Sequence, residues 1–151
     1  MAGEVLLRVS GLTQAFGRVL AVDGEDLELE RGAALGIIGP NGSGKSTLVN
    51  LITGFVRPTA GRVELLGRDV TGLAPHKMVN LGVARSFQLA RPFYNLPVLK
   101  NVVIPVYSPR SRRHLGAEFG DRDEAAIHLL EDVGFERDSQ VPWKKAGELP
   151  H

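Results

Sequence analysis

Apolar and polar positions change rhythm several times along the chain. Residues 5–9 form a short apolar run closed by Ser10 and Gly11. Residues 25–30 (EDLELE) alternate charged and apolar, the rhythm of a strand with one solvated face. Arg31 and Gly32 give a turn signal, and residues 33–38 are then continuously apolar, as in a strand covered on both faces. The two rhythms together predict an antiparallel sheet edge meeting a parallel core.

A helical period follows a glycine-rich stretch. Leu48, Leu51, Ile52 and Phe55 fall at i, i+3, i+4 and i+7, which predicts a helix over 46–54 with these four on its buried face. Gly54 stands at its stop, and Pro58 follows. Residues 62–66 read as a strand turned by Gly67, and 75–81 as a short helix with Pro75 in its first turn and Gly82 at its end. Residues 83–87 read as a further strand. The apolar pattern returns over 98–107, followed by a polar loop, 108–120, carrying Arg110, Arg112 and Arg113. That basic cluster reads as a solvated linker, with a phosphate- or partner-binding role as the alternative. Asp121 opens a last helix with Glu124 placed for a capping box, a buried stripe of Ala126, Leu129, Leu130 and Val133, and Gly134 as its stop. Neither an internal repeat nor a low-complexity tract interrupts this order.

Composition narrows the class. With 151 residues, 43% apolar and 23% charged, the chain is one globular domain or part of one. A net charge of +1 leaves no general electrostatic case for nucleic acid or an acidic membrane. The absence of cysteine excludes disulfides and thiolate metal sites, and fits a reducing compartment. No apolar run approaches the roughly 20 residues that span a bilayer, and the first ten residues lack the basic flank of a signal peptide. Membrane contact is therefore expected only through a protein partner.

The chemistry is concentrated in Gly39-Pro40-Asn41-Gly42-Ser43-Gly44-Lys45-Ser46, which fits G-x-x-x-x-G-K-[ST] at each fixed position. An apolar run precedes it and an amphipathic helix follows, the context in which such a loop cradles phosphate. Glycines let the backbone turn so that successive N–H groups point inward. The helix start adds unsatisfied N–H donors and a partial positive charge. Lys45 is placed to reach the β- and γ-phosphates, and the Ser46 hydroxyl to coordinate Mg²⁺. The bland alternative, a glycine-rich turn with a coincidental lysine, explains neither flank. A nucleoside triphosphate is the expected ligand.

The stretch GPNGSGKST, with Phe16-Gly17 a little over 20 residues before it and Gln88 after it, resembles the nucleotide-binding subunit of an ABC transporter. Residues 50–54 (NLITG), 58–61 (PTAG) and 82–88 (GVARSFQ) resemble the branched-chain amino acid branch. The resemblance implies an α/β fold: a partial P-loop NTPase core with an N-terminal antiparallel β subdomain, over about 1–88, and most of a helical subdomain over about 89–151. It implies that Phe16 stacks on adenine with Val22 nearby. It further implies that residues 39–47, Thr47 included, bind ATP, and that Gln88 contacts Mg²⁺ and the attacking water from a loop facing the membrane subunit. The partners implied are a second nucleotide-binding subunit in a head-to-tail dimer, transmembrane permease subunits and, indirectly, a solute-binding protein, at the cytoplasmic face of the plasma membrane. Pro97 and Lys100 depart from the family's usual threonine and glutamate, which puts a helix cap and local charge there in doubt.

Several alternatives are weaker. Asp69-Val70-Thr71-Gly72 fits the D-x-x-G of GTPases, but no N-K-x-D follows, and the stretch reads as a turn. Val19-Leu20-Ala21-Val22-Asp23 has the composition of the acidic strand that orders Mg²⁺, yet it precedes the cradle and leads into Gly24. Leu129-Leu130-Glu131-Asp132 follows a helical period. None of the four histidines, His76, His114 and His128 among them, stands in the family's switch context. Glu148-Leu149-Pro150-His151 resembles the opening of the family's signature motif, so a truncated chain is expected, without a general base. The alternative function is a non-catalytic nucleotide-binding fragment.

Overall fold

The computed structural model describes residues 3–87, 89, 91–107 and 121–149. The chain divides into two compact units, Met1–Arg85 and Ser86–His151. In the first, β1 (Val5–Phe16) and β2 (Val19–Glu30) form a long hairpin, and β3 (Ala60–Leu65) and β4 (Arg68–Asp69) form a short one. The sheet order is β2-β1-β3-β4, antiparallel throughout. The helices of this unit are α1 (Lys45–Ile52) and α2 (Pro75–Leu81).

The first two strands are each longer than predicted, and for β1 a bulge explains why. Along β1 the buried positions are Val9 and then Leu12 and Gln14, so the inward face changes parity between residues 9 and 12. The register with β2 and β3 shifts there, around Gly11. An extra residue in one strand swaps its two faces, so alternation breaks while the strand continues. The chain then turns through Gly17 and Arg18, with Phe16 opposite Val19. The predicted strand 62–66 becomes Ala60–Leu65, because Leu66 and Gly67, both at positive φ, form the two-residue turn into β4.

Val9, Leu12, Val63 and Val70 of the sheet region enclose Leu48 and Leu51 of α1 and Met78 of α2. Helix α1 ends where Gly54 and Pro58 indicated, but Phe55 lies outside the core. It is 49% exposed, with the Arg85 guanidinium 5.1 Å from its ring centroid. The period carries to residue 52 and lapses once the helix stops. Arg85 also donates to Asn50 Oδ1 and, at 3.4 Å, to Thr53 Oγ1, fastening the chain after α2 to the end of α1. Helix α2 has the predicted bounds, with Gly82 at φ 99° closing it.

Two predicted strands are not formed. Residues 33–38 carry no strand and are exposed, Ile38 to 94%. Residues 83–87 likewise carry none. A continuously apolar strand depends on ladders to both neighbours, and among the described residues no segment pairs with either run.

In the second unit α3 (Val98–Val106) packs on α4 (Arg122–Asp132) through Leu99, Val103, Ala126 and Leu130. Pro97 precedes α3 without a side-chain cap; its carbonyl instead accepts from the Asn101 main-chain N–H and side-chain amide, both at 3.1 Å. Lys100 is ion-paired with Asp123 at 3.0 Å. At the start of α4, Asp121 Oδ1 accepts the Asp123 N–H at 3.1 Å. The predicted capping box is not made, because the Glu124 carboxylate pairs with Arg137. Val133 is 71% exposed, since the helix ends at Asp132 and the buried stripe runs through Ala125, Ala126 and Leu130. Two 3₁₀ turns, Val141–Trp143 and Ala146–Glu148, complete this unit, and Pro97 bridges to Lys145.

Candidate functional site

The glycine-rich loop leads directly into α1. Ser43 donates its N–H to the Pro40 carbonyl at 3.3 Å, closing a turn, and Gly44 precedes the helix in the left-handed region at φ 87°. The Leu48 N–H bonds the Gly44 carbonyl at 2.8 Å. The N–H groups of Lys45, Ser46 and Thr47 therefore precede the first i→i−4 bond and have no intrahelical carbonyl. No side chain caps this end, and its first turn contains no acidic residue. Lysine at the first helical position opposes the helix dipole. A folding rule is broken at one point and positive charge collects there, the pattern expected where an anion completes the structure.

The loop is built against β2. A Cβ on Gly44 would lie 2.2 Å from the Ala21 carbonyl oxygen and 3.6 Å from Val22 Cγ2, so only glycine permits the approach. Two cavities flank the contact. One, of about 250 Å³, is lined by Asn41, Gly42, Ser43, Gly44, Lys45, Ser46 and Thr47 together with Ala21. The other, of about 310 Å³, is lined by Gly39, Pro40, Ser43, Gly44 and Lys45 of the loop together with Ala21, Val22, Glu25, Ile37, Ile38 and Leu48.

The Lys45 ammonium folds back over its own loop. It donates to the carbonyls of Gly39 at 2.7 Å and Pro40 at 2.6 Å and to Ser43 Oγ at 3.3 Å. The lysine thereby joins the two ends of the loop.

The fold thus brings together nine of the sequence-predicted site residues, 39–47, around two adjoining cavities, with Val22 beside them. Phe16 lies at the tip of the β1–β2 hairpin, 50% exposed, and lines neither cavity. Gln88 lies outside the described residues, as do Arg110, Arg112, Arg113, His114, Pro150 and His151. Sequence reasoning missed Ala21, which lines both cavities; an alanine in a strand carries no chemical signal. The run Val19 to Asp23 belongs to the antiparallel hairpin. Asp69 accepts the Thr71 N–H at 2.9 Å, so the D-x-x-G stretch is a local turn after β4.

The open N–H groups and the cavity of residues 41–47 fit a polyphosphate. For a metal ion the fit is narrower. Among the described residues no cluster of His, Asp or Glu could hold one, and the Ser46 hydroxyl is the candidate ligand. That suits Mg²⁺, which keeps several waters and shares phosphate oxygens.

Comparison with known proteins bears on the same residues. Residues 22–149 match the family model described as ABC transporter. The chain is 41% identical over 160 residues to the high-affinity branched-chain amino acid transport ATP-binding protein BraF of Pseudomonas aeruginosa, covering 97% of this chain and 60% of that protein. It is 34% identical over 148 residues to the probable branched-chain amino acid transport ATP-binding protein LivG of Methanocaldococcus jannaschii, covering 95% and 58%. Among solved structures it resembles the ADP conformation of an ATP-binding cassette of an ABC transporter, with a TM-score of 0.74 and 34% identity, over 97% of this chain and 59% of that one. The chain thus spans about three fifths of the length of these relatives.

Proposed function

Because the chain belongs to the ABC transporter family, we propose that it is the phosphate-gripping part of an ATP-binding subunit that couples ATP binding and hydrolysis to solute import. The observation that carries this reading is the uncapped start of α1, whose open N–H groups belong to residues lining one cavity, with the Lys45 ammonium held beside it over the Gly39 and Pro40 carbonyls. The backbone of residues 39–47 holds the phosphates, and Lys45 reaches the β- and γ-oxygens. Ser46 holds Mg²⁺ through its hydroxyl. On the resemblance alone, Gln88 orients the metal and the attacking water, and Phe16 and Val22 receive the adenine. When bound, Mg·ATP supplies the phosphoryl group to be transferred; catalysis is then positioning and charge stabilisation. We assign no general base within these residues.

Branched-chain amino acids are the proposed solutes, on the names of the relatives. A second nucleotide-binding subunit and transmembrane permeases are the proposed partners, with a solute-binding protein acting indirectly. The proposed location, on the names of the relatives, is the cytoplasmic face of the membrane through attachment to the permeases; among the described residues no helix is long and apolar enough to cross a membrane.

Equilibrium binding of Mg·ATP to this chain tests the reading. Lys45→Ala is expected to weaken binding at least about tenfold, from the loss of charge-assisted bonds. Undiminished binding in that variant refutes it. The exposure of residues 33–38 favours a second reading, a non-catalytic nucleotide-binding fragment with little stability of its own. Calorimetry separates the two: a cooperative transition shifted upward by Mg·ATP supports a functional module, and its absence supports the fragment.

A further inference from the structure

We propose that Ser43 is a positioning residue for Lys45: its hydroxyl holds the third N–H of the ammonium in the direction from which a phosphate oxygen takes it over. The inference rests on the phosphate reading of Lys45 and assigns Ser43 a role distinct from the main-chain grip.

An ammonium group has three hydrogens to donate. Here the Gly39 and Pro40 carbonyls accept at 2.7 and 2.6 Å, and Ser43 Oγ is the third acceptor at 3.3 Å. The carbonyl bonds are short and anchor the lysine to the start of the loop. The hydroxyl bond is longer than the usual range, so it is the weakest of the three and the one that yields first to an anionic oxygen.

Two further features show that this geometry is built into the loop. The Ser43 N–H is tied to Pro40 in the turn, which fixes the serine backbone. The hydroxyl also sits directly over Gly39, where an added Cβ would lie 2.8 Å from it. Gly39 thus leaves the space in which the hydroxyl meets the ammonium.

Acetylation of Lys45 by a soluble reagent, followed by mass spectrometry with exposed Lys144 as internal reference, tests the proposal without nucleotide. An ammonium with all three hydrogens bonded must break contacts before it reacts. In Ser43→Ala the Lys45-to-Lys144 rate ratio is expected to rise about threefold or more, as one bond to a charged group is lost. Ser43→Thr, which keeps the hydroxyl, is expected to restore the wild-type ratio. An unchanged ratio in Ser43→Ala, at an unchanged melting temperature, overturns the proposal. So does an equal rise in Ser43→Ala and Ser43→Thr, which would assign the effect to side-chain shape. Adding Mg·ATP then reads the underlying premise separately: failure to protect Lys45 in the wild type refutes the phosphate reading while leaving the ligand-free contact measured.

Discussion

Gly44 and Ala21 meet main chain to main chain: a Cβ on Gly44 would stand 2.2 Å from the Ala21 carbonyl oxygen. This contact seats the glycine-rich loop on β2, and both residues line both cavities. Gly42 has a similar backbone, φ 84°, but an added Cβ there meets nothing within 4 Å. Gly42→Ala is therefore expected to cost only the left-handed conformation, about 1–2 kcal/mol. Gly44→Ala must add a backbone clash and cost clearly more. Urea denaturation of the two variants checks the order, and equal losses would show that the loop is not seated as described.

Leu66 supplies a prediction of opposite sign. It occupies the first position of the β3–β4 turn at φ 51°, is 54% exposed, and is followed by Gly67 at φ 72°. Leucine is strained there, whereas Asn-Gly is the preferred pair for two successive positive φ values. Leu66→Asn is expected to stabilise the chain by roughly 0.5–1 kcal/mol, within the cost of a left-handed residue. A fall in the melting temperature would contradict the turn assignment.

The α3–α4 pair separates packing from surface charge. Leu99 is fully buried between the helices, and its neighbour Lys100 is ion-paired with Asp123 at the surface. Leu99→Ala is expected to cost about 2–5 kcal/mol, and Lys100→Ala no more than about 1 kcal/mol. Tryptophan fluorescence from Trp143, in the same unit, follows both. A loss in Lys100→Ala as large as that in Leu99→Ala would mean that charge, not packing, joins the helices.

Acid sensitivity is expected at the open end of the β1–β2 hairpin. Arg31 Nε donates to Glu4 Oε2 at 2.6 Å, and this bond, reinforced by the charge attraction, holds the Glu4 carboxyl below its ordinary value of 4.5. A carboxyl whose pKa is lower folded than unfolded stabilises the fold above the unfolded value. That contribution is lost as pH falls from about 4.5 through the lower folded value. Glu4→Gln is expected to flatten the acid limb of the stability profile below that pH. The group is solvent-exposed, so added salt should shrink the difference. Identical acid limbs in wild type and variant would dismiss the pair.

Where the determinants of structure were local, the amino-acid order was sufficient. Pro75 and Gly82 bound α2 because one presets φ at a helix start and the other accepts the left-handed stop. The glycine-rich loop was legible as a candidate site because its glycines, lysine and following helix lie within residues 39–52. The family resemblance rested on the same short stretches. The tertiary structure decided whatever depended on distant partners. Residues 33–38 have every local mark of a buried strand, but a strand exists only through its ladder, and among the described residues they have none. The bulge near Gly11 extends β1 through a break in alternation because β2 and β3 continue to pair with it. Ala21 joins the site, and the Lys45 ammonium finds its acceptors, through a close approach that no periodicity encodes. Local preference acts between residues a few bonds apart; pairing, seating and side-chain direction arise when the whole chain closes on itself.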